Sequence, residues 1–180
     1  MVYVFLAEGF EETEALAPVD IMRRAGAEVK TVGVTGKIVT SSHKVPVTAD
    51  IVKDEISLDD ELELVVLPGG MPGTNNLEAD ETVQKAIDFC VENDRLVGAI
   101  CAAPKILGRK GLLKGRKATC FPGFEQELEG AEITGELAVT DGRFITGKGA
   151  GAALDFGFAL VTALFDADKA AKVASNMQCR

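Results

Sequence analysis

The stretch Leu96-Val-Gly-Ala-Ile-Cys101-Ala-Ala-Pro-Lys-Ile-Leu runs a buried-strand pattern into a cysteine and then into helical composition. A nucleophile at such a turn needs small neighbours, because strand and helix backbones pass close together. Ala99 and Ala103 meet that need. A side chain there projects from the sheet edge, on backbone that is commonly strained. It also sits at a helix start, where the dipole and free N–H groups favour a thiolate. Cys101 is therefore a candidate nucleophile. The competing reading is a packed, inert thiol, the usual fate of free cysteine, and residue types alone leave both open.

Few other side chains offer chemistry. His43 is the single histidine, so a Cys-His or Ser-His pair must use it or borrow from another chain, and a multi-histidine metal site cannot form. In Ser41-Ser-His-Lys it reads as a solvated surface residue. Glu11, Glu12 and Glu14 open a helix and suit its dipole, and spacing does not separate them. Cys90 keeps helical step with Val83 and Ile87 and belongs to a core. Cys120 follows a strand and is either a packed thiol or a resolving partner for oxidised Cys101. Cys179 lies next to the chain end. No C-x-x-C pair occurs, which argues against a zinc site or disulfide framework. Gly147-Lys-Gly-Ala-Gly-Ala152 is G-x-G-x-G rather than a dinucleotide fingerprint, and no Walker A pattern occurs. No metal or cofactor is expected.

The elements that would position these residues alternate. Strands are expected at Tyr3–Leu6, Ala27–Val34, Leu62–Leu67, Arg95–Ile100, Lys117–Cys120, Glu132–Val139 and Arg143–Thr146. Asp141-Gly142 marks a hairpin between the last two. Short antiparallel or edge strands are expected within 37–52. Helices are expected at Glu12–Ala25 (with Pro18 kinking it or delaying its start), Asp80–Asn93, Ala102–Leu113, Ala152–Phe165 and Asp166–Met177. The pattern implies one α/β domain over residues 1–180, with a mostly parallel sheet between helical layers. Ligands bind such sheets beyond the carboxyl ends of the strands. That places residues 7–14, 67–70 and 100–103 at one edge.

Composition narrows the function classes. The 180 residues carry 28 acidic and 19 basic side chains, a net charge of −9, which argues against a nucleic-acid groove. No apolar run reaches the roughly 18 residues a membrane helix needs, and no signal-peptide pattern opens the chain. A cytoplasmic protein with reduced thiols is expected.

Four separated motifs resemble the ThiJ/PfpI superfamily: Gly9-Phe-Glu-Glu-Thr-Glu14 with Pro18-Val-Asp-Ile-Met-Arg-Arg-Ala-Gly26, Val65-Val-Leu-Pro-Gly-Gly70, Ala99-Ile-Cys-Ala-Ala-Pro104, and Gly149-Ala-Gly151 leading into Asp155-Phe-Gly-Phe-Ala159. The resemblance implies a flavodoxin-like three-layer sandwich. It makes Cys101 the nucleophile and Glu14 the carboxyl beside it, and gives the backbone N–H groups of Gly70 and Ala102 to an oxyanion hole. A protonated Glu14 would donate to the thiolate and lower its pKa. Gly69, Cys120, Phe121 and His43 are placed as site-lining residues, His43 at a position often held by arginine near a dimer contact. A homodimer through the Pro18–Ala25 helix region is implied.

Two departures select a branch. Ala102 stands where peptidase-like members carry histidine, and Phe121 stands where others place histidine before a proline. Neither can relay a proton. The implied activity is cofactor-free conversion of small α-oxoaldehydes such as methylglyoxal, of glyoxalase III or deglycase type. The alternatives are an oxidation-sensing, chaperone-like protein using Cys101 and, with least support, a peptidase or amidase.

Overall fold

Alternation along the central strands divides the apolar residues between two cores, one on each face of a sheet. In the computed structural model, which describes residues 1–179, the chain runs β1 (Val2–Leu6), α1 (Glu12–Arg24), β2 (Val29–Gly33), β3 (Ile38–Thr40), β4 (Pro46–Thr48), β5 (Ile51–Val52), β6 (Leu64–Leu67), α2 (Gly73–Ala79), α3 (Glu81–Glu92), β7 (Leu96–Ile100), α4 (Pro104–Arg109), β8 (Lys117–Ala118), β9 (Glu132–Ile133), β10 (Ala138–Asp141), β11 (Phe144–Gly147), α5 (Ala153–Leu164) and α6 (Ala167–Asn176). The main sheet has the order β10-β11-β7-β6-β1-β2-β5 and is parallel except for the β10–β11 hairpin.

Successive strand residues point to opposite faces. Tyr3, Phe5, Val65, Leu67, Val97 and Ala99 enter one core with Leu77, Ile87, Ile106 and Leu107 from α2, α3 and α4. Val2, Val4, Leu6, Leu64, Val66 and Ile100 enter the other with residues of α1, α5 and α6. The strands are buried on both faces, as their unbroken apolar runs require. The expected three-layer α/β sandwich is the observed fold.

Three local expectations change. Pro18 does not break α1, which is continuous from Glu12 to Arg24; the proline removes only the N–H that would reach the Glu14 backbone carbonyl. The helix after Cys101 is shorter than expected. Cys101–Ala103 form a turn, and α4 spans six residues from Pro104, which takes the first helical position. Glu132–Val139 is not one strand. β9 pairs with β8 and β10 with β11, and the chain changes sheets through the intervening residues 134–137. The segment 37–52 yields both expected strand types: β3 and β4 pair antiparallel, and β5 is a parallel edge strand beside β2. α2 has no counterpart among the expected helices, because its seven residues carry too little periodicity.

α1 and α5 pack closely because Gly157 has no side chain. A Cβ there would lie 2.6 Å from Ile21 Cδ1 and 3.3 Å from Pro18 Cα. Pro18, Val19, Ile21 and Met22 are therefore spent inside the chain, and Asp20, Arg23 and Arg24 are what the Pro18–Ala25 stretch exposes. Overpacking this contact costs about 1–3 kcal/mol. Gly157→Val should lower the melting temperature by about 2–10 °C in a thermal melt; an unchanged melt would show the helices free to separate.

Candidate active site

β1, β6 and β7 are neighbours, so their carboxyl ends deliver residues 7–14, 67–70 and 100–103 to one place. Cys101 follows β7 directly and has φ +65°, a left-handed conformation that a side chain with a Cβ adopts at a cost. Its backbone is held from both sides. Its N–H donates to Gly147 O at 2.9 Å, and its carbonyl accepts from Phe121 N–H at 2.8 Å.

Glu14 is separated from Glu11 and Glu12 by burial. Its exposure is 1%, whereas Glu11 and Glu12 are partly exposed. Glu11 caps α1, its carboxylate accepting from Glu14 N–H at 2.7 Å. One turn of helix then carries Glu14 under the β6 loop. There its Oε2 accepts from Gly69 N–H at 2.9 Å, and it lies beside the Cys101 thiol, since a Cβ built on Gly69 would meet both the carboxyl and the sulfur. Gly69 must be bare, since a Cβ would lie 2.6 Å from Cys101 Cβ and also run into the Glu14 carboxyl.

The N–H groups of Gly70 and Ala102 lie near enough to the Cys101 thiol to favour its ionised form. Each belongs to a peptide whose carbonyl is fixed from outside. Gly69 O accepts from Glu11 N–H at 3.0 Å, and Cys101 O accepts from Phe121 N–H. The same bonds that tie the loops together therefore aim both donors. Gly70 has φ +88°, and a Cβ on it would lie 2.6 Å from Gly9 O, so the turn accepts only glycine.

Burial pushes the Glu14 carboxyl up to about 7; the Glu11 charge adds to this, while hydrogen bonds from Cys101 and Gly69 oppose it. The Cys101 thiol is pushed up to about 12, by burial first, then by the Glu14 charge and hydrogen bond; the Ala102 and Gly70 N–H groups pull the other way. This differs from the lowered thiol expected from a helix start. The helix begins three residues later and is short, so its dipole is remote from the sulfur. The upward push from Glu14 belongs to its ionised form. Once protonated, Glu14 carries no charge and its O–H can donate to sulfur. The two groups form one coupled acid.

The remaining expected residues sit at the rim or in the core. Cys120 is 4% exposed and pushed up to about 11 by burial and then by the Glu125 charge, a packed thiol in the α2–α4 core. Phe121 is 47% exposed at the mouth. His43 is exposed between β3 and β4, with Nδ1 3.1 Å from the Glu12 carboxylate. Glu12 is held below its usual carboxylate range: its burial is outweighed by hydrogen bonds from its own N–H, His43 and Ser41. Glu11, Glu12 and His43 could each bring a ligand atom within 4.8 Å of the others. With Glu11 occupied as the helix cap and His43 hydrogen-bonded to Glu12, all three are already engaged within the chain. The Cys90 thiol is fully buried and pushed up to about 12, mainly by burial. Sequence reasoning missed Gly147 O, Glu11 N–H and Phe121 N–H, which act through the backbone and leave no mark in residue type. Among the described residues no helix is long and apolar enough to cross a membrane.

Glu14 also predicts a pH dependence of stability. The folded chain keeps its proton up to about 7, against an ordinary value of 4.5. Between those values the folded state binds more protons than the unfolded one, so this group's contribution is intact below 4.5 and is lost as pH rises through 7. Denaturant titrations across that window should show the decline in wild type and a flatter profile in Glu14→Gln. Parallel profiles would contradict the assignment.

The sequence matches the DJ-1/PfpI family over residues 1–163. It is 34% identical to protein DJ-1 homolog B of Arabidopsis thaliana, across 99% of this chain but 41% of that protein, so it spans about two fifths of that relative's length. It is 26% identical to a protein named deglycase from Pyrococcus abyssi, across 82% of this chain and 89% of the relative. The crystal structure of Drosophila melanogaster DJ-1beta superposes with a TM-score of 0.93 at 30% identity, covering 99% of this chain and 97% of the other. Fold, motif order and sequence agree, and the chain belongs to the DJ-1/PfpI family.

Proposed function

We propose that this protein converts small α-oxoaldehydes such as methylglyoxal into α-hydroxy acids, with Cys101 as nucleophile and Glu14 as proton shuttle. The observation that carries this reading is the convergence on one sulfur of a buried carboxyl and two backbone N–H donors whose peptides are fixed from behind. The name of the archaeal relative supports chemistry of the same carbonyl class.

The steps balance without an oxidant. The Cys101 sulfur adds to the aldehyde carbon; a C–S bond forms, and the carbonyl oxygen takes up the thiol proton by way of Glu14, giving a hemithioacetal. The Gly70 and Ala102 N–H groups stabilise the developing oxyanion. Glu14 carboxylate removes the hydrogen from the former aldehyde carbon, forming an enediol, and returns a proton to the neighbouring carbon. The first carbon is thereby oxidised and the second reduced, leaving a thioester to Cys101. Water cleaves it to the hydroxy acid and regenerates the thiol. Net, one water is added.

Peptide hydrolysis is disfavoured, since Ala102 and Phe121 supply no base and His43 is engaged with Glu12. Oxidation sensing would use the same thiol but needs no proton shuttle, so turnover separates the readings.

Lactate formation from methylglyoxal should fall by at least about 100-fold in both Cys101→Ser and Glu14→Gln. In wild type, kcat should rise with pH through about 7 as Glu14 ionises, and that ionisation should vanish in Glu14→Gln. Full turnover by Cys101→Ser would overturn the reading, as would one oxidation event per thiol in place of many lactates.

A further inference from the structure

A cavity of about 370 Å³ opens next to the backbone that holds Cys101, between the segment 121–122 and the loop 148–152. Its walls include Phe121, Pro122, Leu137, Gly149 and Ala150, with Lys148 the one charged residue among the described residues that line it. One wall is hydrogen-bonded to Cys101 and the other begins one residue beyond its second backbone partner. Phe121 N–H holds the Cys101 carbonyl at 2.8 Å, and the other wall continues from Gly147, whose carbonyl takes the Cys101 N–H at 2.9 Å. The walls meet at Gly149, where a Cβ would lie 3.2 Å from the Phe121 ring, so a bare residue keeps the space open.

The lining has no use for a charged group. Lys148 turns its ammonium to Gly135 O at 3.2 Å, and its backbone N–H donates to Leu137 O at 2.9 Å. Among the described residues no carboxylate lines the cavity. Phe121 and Leu137 are about half exposed, 47% and 50%, and so have apolar surface left to cover. A methyl group would leave most of this volume empty, and among the described residues a phosphate or sugar would find one lysine already turned to a carbonyl and no side-chain hydroxyl. Apolar clefts of this size beside a reactive group hold apolar substituents.

We propose that the cavity is a subsite for an aryl or branched-alkyl substituent, so that the preferred substrates are α-oxoaldehydes bearing such a group on the ketone carbon. The inference rests on the oxoaldehyde reading for its substrate class and on geometry alone for the subsite. Discrimination of this kind in an apolar pocket runs to about tenfold or more.

The test pairs a turnover with a reaction that needs none. Wild-type kcat/KM for phenylglyoxal should exceed that for methylglyoxal by about tenfold or more. Separately, Cys101 alkylation by phenacyl bromide and by bromoacetone is followed by mass, each rate divided by that of free cysteine. The phenyl reagent should lead by a similar factor. Leu137→Asp puts a carboxylate in the wall and Ala150→Phe fills the space; each should bring both ratios close to one. Alkylation preference that collapses in the variants, with no turnover of any oxoaldehyde, would uphold the subsite and sink the proposed activity. Turnover of methylglyoxal with no phenyl preference in either assay, or preference indifferent to both variants, would overturn the subsite.

Discussion

Two peptide groups and one sulfur set the terms for the rest of the structure. The Gly69–Gly70 and Cys101–Ala102 peptides each bring an N–H near enough to the Cys101 thiol to oppose the rise in its pKa, and each has its carbonyl pinned from behind, by Glu11 N–H and by Phe121 N–H. A peptide is planar, so fixing the oxygen fixes the donor. Donors aimed in advance cost no reorganisation when charge develops. Cys101 reaches this position only at φ +65°, and hydrogen bonds on both sides of the residue hold it there.

The fold can be seen as the means of meeting that constraint. Neighbouring β1, β6 and β7 bring three loops to one edge, and bare residues let those loops approach. Gly69 leaves room for the thiol and carboxyl, and Gly70 supplies a left-handed turn against Gly9. Gly73 lets α2 start against the loop after β1, where a Cβ would lie 2.5 Å from Phe10 N. Glu11 does double duty, its N–H holding the β6 loop and its side chain capping the helix that buries Glu14. Burial then gives Glu14 an acidity near neutrality, which suits a group that must both take and return a proton.

Much of this could be read from residue order. Unbroken apolar runs at 64–67 and 96–100 mark doubly buried strands, and Asp80 and Asp166 mark helix starts that their side chains do cap. Cys101 stands out because small residues flank it at a strand end. Other features have no signature at the level of residue type. Three nearby glutamates open α1, and only tertiary burial distinguishes Glu14. The bonds that aim the two donors run from backbone to backbone and are invisible in side chains. Composition favours helix to Leu113, but residues 101–103 form a turn and α4 stops after Arg109, just before Gly111 in a left-handed conformation at φ +71°. The cavity beside Phe121 is assembled from residues 121–122, 137 and 148–152, which sequence separation hides.

The central claim is that substrate carbon becomes bonded to Cys101 during turnover. Wild-type protein mixed with methylglyoxal can be quenched in acid within a single turnover and digested with pepsin at low pH, where a thioester to Cys101 survives. The adduct is then mapped by peptide mass. The account predicts a transient adduct on the peptide carrying Cys101, forming and decaying at rates that match lactate release. Lactate appearing with no adduct on Cys101, or with adducts only on amines or on Cys179, would contradict it.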